Sequence, residues 1–372
     1  MDKIAETLTC PVNSHNEWDP LEEVIVGRLE HAMLPDAQII NKHTFPPSDS
    51  PIIDEILALG GFPYPTEMIE AAQDSLDQFI HILKSEGVVV RRPDVVDYER
   101  PFRTPDWKVP CGASATNPRD PFLVIGDEII EAPMADRSRQ FEAWAYRSLF
   151  KEYFRRGAKW SAAPRPQLLD EQYDQEFQPS NLGDQDMRYV VTEFEPTFDA
   201  ADFVRCGRDI IGQKSHVTNE LGILWLQRHL GNTYRVHTFQ SRCPQAMHID
   251  TTLMPLAPGK VMVNPDWVDV ARLPEFLRGW DILQAPQPVP CVQKEMQLIS
   301  SWASMNVLML DERRVIVEKR QEPMIKAMKD WGFEPIACPF EDYYPFLGSF
   351  HCATLDIRRN GELKSYAYVP IR

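Results

Sequence analysis

A closed ring of five α/β units, a pseudo-symmetric propeller, is the fold the sequence predicts, and three observations predict it. A helix–glycine–strand phrase recurs along the chain, passing through Gly87, Gly157, Gly231, Gly279 and Gly332. Strand–turn–strand pairs are interleaved with these phrases. The repeat length, roughly 50–75 residues, points to propellers or solenoids. An ordinary α/β sheet with antiparallel edges would use the same elements, and periodicity alone does not separate the two.

In chain order, Asn16-Glu17-Trp18-Asp19-Pro20 forms a turn before a first strand, Leu21 to Gly27. Residues 35–65, rich in proline and glycine, read as a long loop. Ile69, Ala72, Leu76, Phe79 and Leu83 fall at helical spacing, and Gly87 ends that helix before Val88-Val89-Val90. Equivalent phrases run from Phe141, Ala145 and Leu149 to Gly157, and from Leu221, Leu224 and Trp225 to Gly231. Two more run from Phe276-Leu277-Arg278 to Gly279 and from Met324, Ile325 and Met328 to Gly332. The interleaved hairpins are 122–125 with 128–131, 201–204 with 209–211, 253–256 with 260–263, and 306–309 with 315–317. A last strand-like stretch begins at Thr354. The chain, 1–372, reads as one domain with a short N-terminal tail, about 1–10, and a polar, acidic surface insertion at about 167–186.

Composition narrows the partners. A 43% hydrophobic content supports a large core. A net charge of −16 argues against nucleic acid or an anionic membrane face. Seven scattered cysteines without a CxxC pair fit a reducing compartment and offer no zinc signature. With no signal peptide or apolar span at hand, the expected location is cytoplasmic and the expected partners are small molecules.

Four polar clusters stand at the ends of predicted strands: Pro118-Arg119-Asp120, Phe198-Asp199-Ala200-Ala201-Asp202, Met247-His248-Ile249-Asp250 and Phe350-His351-Cys352. Each lies at an equivalent place in a different repeat, so ring closure would bring them together. Strand alternation would put His248 and Asp250 on one face. Their chemistry is compatible: a cysteine nucleophile, a histidine proton carrier, an aspartate to fix the histidine tautomer, and further carboxylates to bind a flat cation such as guanidinium. A buried, inert cysteine and structural aspartates are the competing reading.

The stretches Asn16 to Gly27, Glu128 to Met134, Phe198 to Phe203, Met247 to Asp250, Ser304 to Leu310 and Phe350 to Cys352 resemble the arginine:glycine amidinotransferase family, from about Cys10 to the C-terminus. The resemblance implies the five-bladed α/β propeller of the guanidino-group-modifying superfamily, with the active site in its central cavity. It implies Cys352 as nucleophile, His248 as general acid/base, and Asp199, rather than Asp202, as its orienting partner. Asp120 and Asp250 would grip the guanidinium of arginine. The implied reaction is ping-pong, without metal or organic cofactor, in a homodimer.

Two positions depart from the glycine-accepting enzymes. Trp267 stands in Asn264-Pro265-Asp266-Trp267 where they carry an arginine that helps hold a carboxylate. Ile299-Ser300 replaces a Ser-Ser pair. The expected acceptor is therefore larger, more apolar or without a carboxylate, with Met247, Ser300 and Trp267 in the substrate-binding wall. The pattern is most similar to cyanobacterial secondary-metabolite amidinotransferases of the saxitoxin kind, which implies an arginine-derived amino ketone as acceptor. A guanidine hydrolase of the arginine deiminase kind, using the same side chains to deliver water, is the alternative.

Overall fold

The computed structural model describes residues 10–34, 38–46, 60–179, 187–291 and 298–367. Within them, five three-stranded sheets follow one plan: an antiparallel pair extended by a parallel third strand. In the second sheet, Phe122–Ile125 runs antiparallel to Glu128–Glu131, and Lys159–Ala162 adds parallel to it. Phe203–Cys206, Asp209–Gln213 and Arg235–Phe239 repeat the plan, as do Leu253–Ala257, Lys260–Val263 and Asp281–Gln284. Leu308–Met309, Arg314–Glu318 and Glu334–Cys338 form the fifth sheet.

The first sheet closes the ring. Its middle strand Leu21–Val26 pairs in parallel with Val89–Arg91, but its antiparallel partner is Thr354–Arg359 from the other end of the chain. The C-terminal strand thus takes the inner place that the first hairpin strand fills elsewhere. Burial grades outward: inner strands such as Phe122–Ile125 are fully buried, whereas outer strands such as Lys159–Ala162 are not. The protein is a five-bladed pseudo-symmetric α/β propeller.

A parallel third strand needs a crossover. Helices Thr66–Ser85, Arg147–Arg155, Glu220–Leu230 and Glu322–Asp330 supply four of them. The fourth sheet differs from expectation. Phe276-Leu277-Arg278 forms no α-helix, and its crossover uses only the 3₁₀ turns Val270–Arg272 and Glu275–Leu277. Pro274, just before the second turn, lacks the backbone N–H that a continuous helix would need. All five phrase-ending glycines have positive φ, from 62° at Gly231 to 102° at Gly157, which marks the repeat.

Apolar packing lies between neighbouring sheets. Leu76, Phe79, Leu308 and Ile316 join the first to the fifth, and Ile25, Phe122, Ile129 and Leu355 join the first to the second. The axis is instead ionic. Arg205 holds Glu17 through Nε (2.8 Å) and Nη2 (2.7 Å), and its Nη2 also reaches Asp356 at 2.8 Å. Arg119 and Arg359 complete the cluster on Asp356 at 2.7 and 2.8 Å. Five inner strands converging on one line leave a narrow space, and buried charges are stable there because each is matched.

Within the 35–65 stretch, residues 39–44 form a short helix rather than loop, and residues 47–59 lie outside the described residues. Of the predicted insertion, residues 180–186 also lie outside them, while Leu168, Tyr173 and Phe177 are buried. No helix among the described residues is long and apolar enough to cross a membrane.

Candidate active site

Each inner strand is entered by a tight turn, and the five turns face one another at one end of the axis. Asp120 precedes the inner strand of the second sheet, and Asp199 opens the 3₁₀ turn Ala200–Asp202 before that of the third. His248 opens Ile249–Thr251 before that of the fourth, and Ser301–Met305 leads through Asn306 to that of the fifth. Cys352 precedes Thr354–Arg359.

One expectation fails here. Residues 248–250 are not a strand, so alternation does not place His248 beside Asp250. His248 has φ 64° and ψ 137°, a costly conformation for a side chain branched only beyond Cβ, and the chain turns sharply after it. That turn swings both side chains into the cavity.

Cys352 Sγ lies 3.2 Å from Asp250 Oδ2 and 2.9 Å from Asn306 Nδ2. Asn306 also accepts the backbone N–H groups of His351 (2.7 Å) and Cys352 (3.3 Å) through Oδ1, fixing the turn that presents the sulfur. Gly348 is required by close approach: a Cβ there would lie 2.2 Å from Asn117 Oδ1 and 2.9 Å from the Cβ of Cys352. His248 Nε2 is 3.1 Å from Asp199 Oδ2, and Nδ1 is 3.6 Å from Asp120 Oδ1. Asp202 is held elsewhere, by Gln213, Ser215 and Thr218, and not by the imidazole.

Met247, His248, Asp250, Trp267, Ser300 and Cys352 line one cavity of about 1290 Å³ including its mouth. Asp120 and Asp199 adjoin it against His248 and Arg139, with a carboxylate oxygen of Asp120 within 4.8 Å of the Cys352 sulfur. Trp267 packs against Trp302, with ring centroids 6.3 Å apart, and Ser300 Oγ caps the turn by accepting the N–H of Trp302. Among the described residues, the group whose ligand atoms could converge on a metal ion is Asp120, His248 and Cys352, all within 4.8 Å of one another. All three already have partners in the site.

No family model matches the chain. The chain is 50% identical to an L-arginine:L-lysine amidinotransferase of Pseudomonas savastanoi pv. phaseolicola, covering 96% of this chain and 97% of that protein. The amidinotransferase family is thereby shown. This chain belongs to it. Among solved structures, SxtG, an amidinotransferase of the saxitoxin biosynthetic pathway from Microseira wollei, is 66% identical with a TM-score of 0.90, covering 96% of this chain and all (100%) of that one. The inosamine-phosphate amidinotransferase StrB1 of Streptomyces griseus is 36% identical with a TM-score of 0.87, covering 96% and 99%.

In this member of the amidinotransferase family the free site favours a protonated thiol and a charged imidazole. Burial, then the charges of Asp250 and Asp120, push the Cys352 thiol up to about 12. Burial opposes charging of His248, but the charge of Asp120 and the hydrogen bond to Asp199 outweigh it and raise the imidazolium well above the usual histidine range. Burial likewise opposes ionisation of Asp250, but the hydrogen bond and charge of His351 hold its carboxyl below the usual range. Alkylation of Cys352 by neutral iodoacetamide is therefore expected to rise from about pH 7 to about pH 10 without levelling, because the thiolate is the reactive form. A plateau below pH 9 in the free protein would contradict this.

Sequence reasoning missed three contributors. Asn306 occupies the equivalent turn of the fifth repeat, a position that could have singled it out. His351, adjacent to the thiol, bridges Asp250 (3.0 Å) to Glu17 (3.3 Å) and so ties the site to the axial ion cluster. Arg139 pairs with Asp120 (2.8 Å), Asp199 (3.2 Å) and Glu142 (2.9 Å), and nothing in Arg137-Ser138-Arg139 marks it out.

Proposed function

We propose that the protein transfers the amidino group of L-arginine through an amidino-Cys352 intermediate to an amine acceptor and releases L-ornithine. The observation that carries this reading is a set of three buried carboxylate oxygens around the thiol and imidazole. Asp120 Oδ1, Asp199 Oδ1 and Asp250 Oδ1 have no hydrogen-bond partner among the described residues. Buried acceptors left bare are costly, and a guanidinium carries several N–H donors in a rigid plane.

Arginine brings a positive charge beside Sγ and offsets the burial and the carboxylate charges that hold the thiol protonated, so the thiol releases its proton to solvent as arginine binds, His248 being already an imidazolium. The thiolate attacks the guanidinium carbon. As the bond from that carbon to the side-chain nitrogen breaks, His248 gives its proton to the departing amine of ornithine. The amidino group is left on sulfur as a cationic thiouronium, held by Asp120 and Asp250. His248, now neutral and steadied by Asp199, takes a proton from the acceptor amine. That amine attacks the same carbon, and the C–S bond breaks to return the thiolate. Proton transfer of this kind contributes about 10²–10⁴-fold.

The acceptor is an arginine-derived amino ketone of a saxitoxin-type pathway. The likeness to SxtG supports it, as does Trp267, which cannot pair with a carboxylate. Intact-mass analysis of the protein with L-arginine alone is expected to add one amidino group, mapping to Cys352, and to lose it when acceptor amine is added. Absence of that adduct under turnover conditions, or free citrulline formed without added amine, would overturn the reading.

A further inference from the structure

The cavity wall carries a further buried carboxylate, one with no hydrogen bond to Cys352 or His248. Asp136 is 4% exposed and lines the same cavity. Its Oδ1 accepts the N–H and O–H of Ser138 at 2.8 and 2.6 Å, which caps the 3₁₀ turn Arg137–Arg139. Its Oδ2 receives no hydrogen bond and no ion pair from any described residue.

The other charged side chains on the cavity wall are engaged. Arg139 and Glu142 bind each other, and Arg139 also holds Asp120 and Asp199. His248 is held by Asp199, and Asp250 by His351 and Cys352 through Oδ2, its Oδ1 being one of the oxygens assigned above to the donor guanidinium. Arg139 is the one arginine or lysine among the described lining residues, and three carboxylates surround it. Much of the remaining wall is apolar, including Phe45, Tyr64, Leu298, Ile299 and Phe346. Among the described residues, an acceptor bearing a carboxylate meets no free cation there. An acceptor bearing a second positive group meets one bare carboxylate oxygen in a surrounding of low polarity, where a charged hydrogen bond is strong.

Resting on the amidino-transfer reading above, we infer that Asp136 selects the acceptor by binding a second cationic group, guanidinium or ammonium, at the end of the molecule remote from the accepting amine. Asp136 is a specificity residue for the second half-reaction. It takes no part in forming the amidino-cysteine.

The test uses two acceptors of equal length, 1,5-diaminopentane and n-hexylamine, which differ in the far ammonium. With the full-length protein and L-arginine, kcat/KM for the diamine is expected to exceed that for the monoamine by about tenfold or more. Asp136→Asn keeps an oxygen to cap the turn and removes the charge. It should bring the two acceptors close to parity through the KM of the diamine, while the rate of arginine-dependent adduct formation on Cys352 stays near that of the unaltered protein. Equal use of both amines by the unaltered protein overturns the inference, as does a preference that survives Asp136→Asn. An equal slowing of adduct formation in Asp136→Asn would place Asp136 with the donor or the fold and also overturn it. Failure of any adduct to form in the unaltered protein would instead count against the amidino-transfer reading itself.

Discussion

Cys352→Ala is expected to lose amidino transfer by roughly 10⁵-fold or more and to show no arginine-dependent mass increase, since removal of a nucleophile ends the covalent route outright. The fold should persist. Asn306 would still accept the two backbone N–H groups of the turn, and the alanine methyl still fits against Gly348. Arginine binding should also persist, because the bare oxygens of Asp120, Asp199 and Asp250 belong to other residues. Calorimetric titration with L-arginine beside a turnover assay separates the two effects. Cys352→Ser should be nearly as inactive: the burial and neighbouring carboxylates that drive a thiol up to about 12 would hold a hydroxyl proton more firmly still. Turnover within tenfold of the unaltered enzyme in either variant would remove Cys352 from the chemistry.

The repeat was legible because its signals are local. A glycine that needs positive φ and the strand after it recur five times, four of them behind an α-helix and four behind a local hairpin, each within one stretch of chain. The clusters at Asp120, Asp199, His248 and Cys352 were legible for the same reason, each being the polar turn before an apolar inner strand. Ring closure then brought together what the sequence keeps apart. The local geometry of the His248 cluster was not legible, because alternation assumes an extended backbone and His248 leaves it with a φ of 64°. Asn306 carries no titratable group to draw notice. The axial cluster is the least readable part: Glu17 and Arg205 are separated by 188 positions, and Arg205 and Asp356 by 151. Nothing in the local pattern distinguishes those charges from surface ones. The seal of the ring by Thr354–Arg359 on Leu21–Val26 is equally non-local, and it fixes where Cys352 sits.

Arg139→Gln is expected to destabilise the protein by about 3–5 kcal/mol, the range for removing one partner from a buried ion network. The reason lies in what surrounds the guanidinium. Asp120, Asp199 and Glu142 are all buried, and Arg139 is the cation that contacts all three. Burial already pushes Glu142 up to about 7 against the pull of Arg139, so without that charge Glu142 takes up a proton more readily still. Burial also raises Asp120 while His248 and Arg139 lower it, so its carboxyl should climb further in the variant. A protonated Asp120 gives the substrate guanidinium less charge to bind and supports the His248 imidazolium less well. The acid limb of the kcat/KM profile should therefore move to higher pH, since ionisation of these carboxyls then needs a lower proton concentration. Arg139→Lys should restore part of the stability, because the charge returns, but not all of it, because an ammonium lacks the planar fork that spans three carboxylates. A purely structural role would lower the melting temperature and leave the acid limb in place. That pairing of measurements, melting and pH profile on the same two variants, distinguishes a residue that sets the protonation of the site from one that only packs behind it.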